Sequence, residues 1–583
     1  MNRSVLTAWL LLGLGSSFLL ACDGPVLSTL QPSLSFEAAQ VRLRDRLVPN
    51  IQVSDRSISD TDAYNEIIPP QTEVLPNPNS YPLYGDPVLE NNTVYLEIYS
   101  SAEKANGARQ DERWLVDVAE AFNRQKTTLP SGQVIQVGIR NIPSGLGAQM
   151  LAAGLGQPAG YTPAHALWVE LLKADGLNVD PIAPAIVANQ AVFAMQPEVY
   201  DRLAANGEVT FDRVLDDILA GNIENVGYCN PYIASPGLNF LYTLLWRSAG
   251  HATTGTPLTM EDLNATQTTS AFTAFQKQVT TTTPTYLDLK QLWLRDKEAF
   301  DLIVMSYQSF VGLQAQPGFD QLKHIPFGIP ETSPLVAFDW TTTAQREALE
   351  RFADFATAAD MQALAVNHGH IQTDYLDTGT FPPIPSGEVL QAAQSFWKQR
   401  KDGGKTVYMQ IVVDTSGSMA DQQRLTAVQE ALRLASQQIN TGNQIGLITF
   451  SDNPAHQVYL APFNELEQKR LFTAIKQMRA SGNTALYDGL AVGLNELLRQ
   501  KQRDPDGEFY LLFLTDGQRT HGLTLKDLEP VLQASGVRVY PIAYGDVNHK
   551  DLEAIAALHE GQVFEGTPEK VQLLLQNLFQ TNL

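Results

Sequence analysis

Cysteine is almost absent: there are two in 583 residues, Cys22 and Cys229, which excludes a zinc or disulfide framework. Charge is scarce too. Asp, Glu, Lys and Arg make up 18%, and 63 acidic against 40 basic residues leave a net charge of −23. That surplus argues against nucleic acid and an anionic membrane surface as electrostatic partners and is compatible with divalent cations. Beyond the N-terminal segment, no stretch approaches the ~20 apolar residues needed to span a bilayer. HExxH and GxSxG are also missing, so nothing supports hydrolytic catalysis and the chain reads as a non-enzyme. The DTG at 377–379 has no second copy with which to share a proton. GGKT at 403–406 precedes a strand instead of following one, which fits a linker better than a phosphate loop. The histidines of NHGH at 367–370 read as incidental to a helix end.

What is present is globular. Hydrophobic residues make up 44% of a chain too long for one core, so two or more domains are expected. At the N-terminus, Arg3 is followed by VLTAWLLLGLGSSFLL, then Ala21 and Cys22, the pattern of a secretory signal rather than a spanning helix. The ending LLAC resembles the lipobox of bacterial lipoproteins. That resemblance implies that 1–22 is a signal peptide and that Cys22 carries the lipid, which places the protein on the extracytoplasmic or periplasmic face of the cell membrane. Asp23 is then the residue that retains a lipoprotein at the inner membrane in Gram-negative sorting. Cys229 is left as a buried, inert thiol.

Residues 23–90 lack sustained periodicity, and PNPNSYPLYGDP at 76–87 favours extended or turn conformations, so this stretch reads as a Pro-rich, polar tether. From 91 to 400, strand-like runs such as TVYLEIYSS, AIVANQAVFAM and DLIVMSYQSF alternate with amphipathic helices. This is an α/β pattern, and its length calls for two lobes. PPIPSG and KQRKDGGK read as a linker. From 405 to 583, five strand candidates (VYMQIVV, QIGLITFS, EFYLLFLT, VRVYPIAYG, QVFEG) alternate with helices, which predicts a doubly wound, Rossmann-like parallel sheet with its ligand at the C-terminal strand ends.

DTSGSM, residues 414–419, stands at such an end. Thr484 in SGNTALYDGL and Asp516 in LLFLTDG belong at the same edge. Each of these is an ordinary cap or turn taken alone. Together, Asp414, Ser416, Ser418, Thr484 and Asp516 form a hard-oxygen set suited to Mg²⁺, with Mn²⁺ as the alternative. Two carboxylates roughly neutralise a divalent ion, and short hydroxyls leave a coordination place for a carboxylate from elsewhere. The order Asp-x-Ser-x-Ser, Thr, Asp resembles the metal-ion-dependent adhesion site (MIDAS) of von Willebrand factor A-type (VWA) domains. That resemblance implies direct hydroxyl contacts to the metal, with aspartate contacts often made through water, and recognition of an acidic residue on a protein partner.

The region before it resembles bacterial extracellular solute-binding proteins, whose two periplasmic-binding-protein-like lobes close on a ligand. The resemblance is carried by YSSAEK, IPSG, NPYIASPGLN and SYQS. It implies a small-molecule solute near Ser100, Ser101, Ser144, Ser235 and Tyr307. Ser235 is equally read as the cap of its helix, with Pro236 at the first helical position. Trp114 and Trp168 read as core. The expected function is a lipid-anchored binding or adhesion protein that uses its first domain as sensor or scaffold. The alternative is the receptor of an ABC-type importer, docked to a membrane complex by its second domain.

Overall fold

The computed structural model describes residues 34–68, 75–371, 381–544, 549–558, 563–567 and 571–583. Cys22 and the signal segment lie outside the described residues. The architecture is α/β: a two-lobed region followed by a doubly wound sheet.

The chain does not begin as a tether. Ser35 caps the helix Phe36–Arg42 by accepting from Ala38 N at 3.2 Å. Ala39 of that helix, and Leu43 beyond it, are fully buried against Tyr408, Val412, Leu490 and Leu494 of the C-terminal domain. The strand β1 (Ser54–Asp55) then runs parallel to an edge strand of that domain, with Arg56 N donating to His456 O at 2.9 Å and Ile58 N to Gln457 O at 3.0 Å. The helix Asp60–Tyr64 closes the wrap by burying Ala63 in a cluster with Leu471 and Ile475 on the opposite face of the sheet. Residues 34–68 are therefore a strap around the last domain, which corrects the tether reading of 23–90 over these positions. A few well-placed apolar residues, with no periodicity of their own, are enough to hold a surface strap. Further along the expected tether, β2 (Leu83–Tyr84) pairs antiparallel with β4 (Val134–Asn141).

Lobe one is a six-stranded sheet in the order β2-β4-β3-β5-β12-β6, built from β3 (Thr93–Ser100), β4 (Val134–Asn141), β5 (Gly160–Thr162), β6 (Val179–Ala183) and, late in the chain, β12 (Leu335–Phe338). Lobe two is five-stranded, in the order β11-β7-β10-β8-β9: β7 (Asn189–Met195), β8 (Val226–Cys229), β9 (Val279–Thr283), β10 (Leu302–Ser306) and β11 (Lys323–Glu331). The chain crosses between lobes at 184–188 and 332–334, where Ile186 N donates to Ser333 O at 3.1 Å. Two consecutive helices, Thr343–Ala356 and Ala359–Asn367, follow β12. The expected linker helix, Gly387–Arg400, is instead integral, with Leu390 and Trp397 fully buried.

The C-terminal sheet has seven strands among the described residues, in the order β1-β15-β14-β13-β16-β17-β18. They are β13 (Val407–Asp414), β14 (Gln444–Phe450), β15 (Pro454–Pro462), β16 (Glu508–Thr515), β17 (Arg538–Ala543) and β18 (Phe564–Glu565), with β1 at the edge. β13 is central and parallel to both β14 and β16. Its eight residues are buried throughout, as a strand covered by helices on both faces must be. The last helix, Val571–Asn582, packs on the helix Arg424–Ala435 and meets lobe two, where Asn230 Nδ2 donates to Gln580 Oε1 at 3.0 Å.

Candidate functional site

Parallel strands β13 and β16 are in register with Val413 opposite Leu514, so the residues that follow both strands emerge at one edge. Asp414 is fully buried there. Its Oδ1 accepts from Ser416 N at 2.8 Å and its Oδ2 from Thr515 Oγ1 at 2.7 Å. Burial pushes the Asp414 carboxyl up to about 6, against the pull of its Ser416 and Thr515 hydrogen bonds. Ser416 and Ser418 hydroxyls lie 3.2 Å apart, and Ser418 Oγ donates to Asp516 Oδ1 at 2.8 Å. Thr484 joins them from the loop before the helix Leu486–Arg503. A Cβ built on Gly517 would sit 3.4 Å from Thr484 Oγ1 and 3.7 Å from Ser418 Oγ. The chain thus brings all five expected residues together.

Three contributors went unread in the sequence. Thr515 orients Asp414, and Arg424 Nη1 donates to Asp516 Oδ2 at 2.8 Å. Thr520 Oγ1 accepts from Thr484 N at 2.9 Å and fixes that loop. Thr515 had a signal, because it stands in the same LTDG as Asp516.

Two buried carboxylates and three hydroxyls fit a hard divalent ion. Among the described residues no cluster of three or more His, Cys, Asp or Glu is arranged for a metal, so a site at this edge draws on its hydroxyls beside its two carboxylates. Beside the site, a groove of about 590 Å³ is lined in part by Tyr487, Gly517, Arg519, Lys526 and Asp551.

The cleft residues fare differently. Ser144 Oγ accepts from Ala164 N at 3.1 Å, and Ser235 Oγ accepts from the Trp168 indole at 2.8 Å. Ser235 is not a cap: Ala234 precedes the helix Ser235–Ser248, Pro236 is its second residue, and no side chain caps it. Trp168 and Trp114 are core, as expected. The Tyr307 ring lies tilted against Phe310 and edge-on to His324. Ser144 and Ser235 therefore make contacts within and between the lobes. Ser100 and Ser101, fully or nearly fully buried, stand beside a charged cluster instead.

That cluster contains Lys104, whose Nζ donates to Thr162 O at 2.9 Å and to Ser101 Oγ, and which lies 3.7 Å from Glu103. In the same cluster, Glu331 Oε2 accepts from Ser306 Oγ at 2.9 Å. Glu331 Oε1, Thr162 Oγ1 and Asn189 Nδ2 are buried with no hydrogen-bond partner among the described residues. Burial drives the two charges toward neutrality, raising Glu331 to about 8 and lowering Lys104 to about 8. Cys229 is buried and its thiol pushed up by desolvation, as expected of an inert group.

Two buried histidines give this region a pH signature. His165 accepts from Leu167 N through Nδ1 at 3.0 Å, so Nε2 carries the proton toward Ile329 O, and burial lowers it to about 4. His370, against Trp114, is lowered to about 3 by burial first and the Lys104 charge second. Below pH 6.5 the unfolded chain binds protons that the folded one refuses, so both groups remove stability as pH falls, by about 3 kcal/mol for His165 at the limit. Glu331 acts oppositely, since its raised value favours the folded state as pH falls from about 8. Urea titrations of the first domain's transition at pH 7.5 and 5 should show His165→Asn losing less stability on acidification than the parent. An equal loss in both would rule His165 out.

Comparison with known proteins now has geometry to rest on. Residues 409–580 match the von Willebrand factor type A domain. Residues 109–370 match the model of a bacterial extracellular solute-binding protein. Over 156 residues the chain is 30% identical to calcium-activated chloride channel regulator 3A-1 of Mus musculus, covering 26% of this chain and 17% of that one. Over 176 residues it is 29% identical to an uncharacterized protein of Synechocystis sp., covering 29% and 40%. The chain therefore spans well under half the length of these relatives. Among solved structures, a periplasmic thiamin binding protein aligns with 54% of this chain and 97% of its own at 14% identity, TM-score 0.39. The A-type domain thus follows a solute-binding region in one chain. No helix among the described residues is long and apolar enough to cross a membrane.

Proposed function

We propose that this is an extracytoplasmic, lipid-anchored binding protein, not an enzyme, whose A-type domain holds an acidic group of a protein partner through a divalent cation. The observation that carries the reading is the convergence of Asp414, Ser416, Ser418, Thr484 and Asp516 at one sheet edge. These residues would hold Mg²⁺, which supplies a Lewis-acidic place for an incoming carboxylate. The chain's own part is to fix the oxygens: Thr515 and the Ser416 backbone pin Asp414, and Ser418 pins Asp516.

The soluble form from Asp23 onward should retain a partner from the source cell's envelope extract in Mg²⁺ and lose it both in EDTA and as Asp414→Ala. Equal retention in all three samples would sink the reading.

A second reading, the receptor of an importer, is favoured by one observation: the buried polar atoms without a partner among the described residues, Glu331 Oε1, Thr162 Oγ1 and Asn189 Nδ2. Buried polar atoms of this kind are costly unless something meets them. On that reading a solute stabilises the first domain in a thermal-shift screen, and Asp414→Ala leaves its affinity unchanged.

A further inference from the structure

The cation-ligand edge already contains a cation of its own. Arg424 opens the helix Arg424–Ala435 directly after two non-glycine residues in the left-handed region, Gln422 (φ 51°) and Gln423 (φ 58°). Such conformations cost free energy for residues with a Cβ and persist where surrounding structure imposes them. Here they end the DTSGSM loop and start the helix that carries Arg424 beside the site. The guanidinium Nη1 lies 2.8 Å from Asp516 Oδ2, with the carboxylate side chain fully buried and the arginine side chain 17% exposed. Asp516 Oδ1 is taken by Ser418 Oγ, so both oxygens of this expected ligand are engaged. The next basic residue along the edge, Arg519, is turned away: its guanidinium donates to the backbone of Gly522 and Leu523.

Charge counting gives this pair a consequence. Two carboxylates, Asp414 and Asp516, and one guanidinium, Arg424, leave the bare site at minus one. A divalent ion brings it to plus one, not to zero. A bare ion must compete with Arg424 for Asp516, and once bound it leaves a partly exposed guanidinium next to an open coordination place. Guanidinium and carboxylate geometries match in two parallel hydrogen bonds.

We infer that Arg424 makes ion binding and carboxylate binding mutually dependent: it weakens the hold on a free divalent ion and anchors the incoming carboxylate beside that ion. Arg424 is a positioning and specificity residue, and its role rests on the reading of the edge as a metal site. The site then discriminates for anionic side chains over neutral oxygen ligands, because only an anion relieves the excess positive charge. By reciprocity, a carboxylate raises ion affinity by the same factor by which the ion raises carboxylate affinity.

The test uses Mn²⁺ as the probe, with free ion read from its aqueous electron paramagnetic resonance signal, and acetate as the carboxylate. The samples are the soluble chain from Asp23 onward, Arg424→Gln, Arg424→Lys and Asp414→Ala, each checked for folding by circular dichroism. Arg424→Gln should bind Mn²⁺ roughly tenfold more tightly without acetate, as expected when a competing charge is removed. It should also lose most of the gain in affinity that acetate gives the parent. Arg424→Lys, which keeps the charge but not the fork, should bind bare Mn²⁺ as the parent does and show a smaller acetate effect. Should Arg424→Gln bind Mn²⁺ no more tightly than the parent while Asp414→Ala binds none, the inference is overturned and the metal site stands. If the parent and Asp414→Ala take up Mn²⁺ equally poorly, the metal reading itself has failed, and this inference with it.

Discussion

Leu43→Asp should release the N-terminal strap from the A-type domain and expose it to protease. Leu43 is fully buried in the cluster that includes Tyr408, Leu490 and Leu494. Aspartate there loses the apolar burial and places an unpaired charge in a low-dielectric site, a combined cost on the order of 3–5 kcal/mol. Detachment must also overcome the half-buried Phe36, Leu47 and Val48 around the same cluster and, further along, β1 on β15 and Ala63 in the opposite cluster. Gln40 Nε2 donates to Leu498 O at 3.3 Å, Arg42 Nη2 to Asp527 O at 3.1 Å, and the far end is held by Arg470 on Asp60 and Lys476 on Glu66. Trypsin should then cut at Arg44 and Arg46, and the second domain should melt at lower temperature because its core has lost Leu43. Parent-like cleavage kinetics would show that the strap is held from elsewhere.

The second large effect lies at the seam between the lobes. Gly145 N donates to Ile233 O at 3.0 Å, and a Cβ on Gly145 would fall inside van der Waals contact of Tyr232 O and within 2.6 Å of the Trp168 ring. One of these obstacles is backbone and cannot rotate away. Overpacking of this kind costs ~1–3 kcal/mol, and because the two surfaces belong to different lobes, relief comes by separating them. Gly145→Ala should therefore increase the radius of gyration in small-angle X-ray scattering. It should also expose the charged cluster, so that the fully buried Lys104 becomes reactive toward amine reagents. Unchanged scattering and an unreactive Lys104 would mean that the seam absorbs the methyl locally.

The sequence made the metal-type site legible because its residues cluster in short motifs at strand ends, where an apolar run stops and oxygen-bearing side chains begin. The first-domain serines were harder. Ser235 carries the local signature of a helix cap beside Pro236, but its hydroxyl is claimed by Trp168, 67 positions away in the chain. No local rule reports such a partner. β15 begins and ends with proline, and β1 is only two residues long, so neither shows the alternation by which strands are read. Both lie toward one edge of the sheet, where proline is tolerated. Likewise nothing local in the sequence singles out Arg424, and only the folding of β16 beside β13 brings Asp516 to it.

The strap also decides where the molecule would bear tension. A pull applied ahead of residue 34 enters the A-type domain first, through the helix Phe36–Arg42 on its core and then β1 lying alongside β15. A load applied at Asp414 and Asp516 enters the same sheet through β13 and β16. Both points lie in the A-type domain, so the line between them does not pass through either lobe of the first domain. The lobes stand beside that line as a side branch, joined to it through contacts such as Asn230 Nδ2 on Gln580 Oε1.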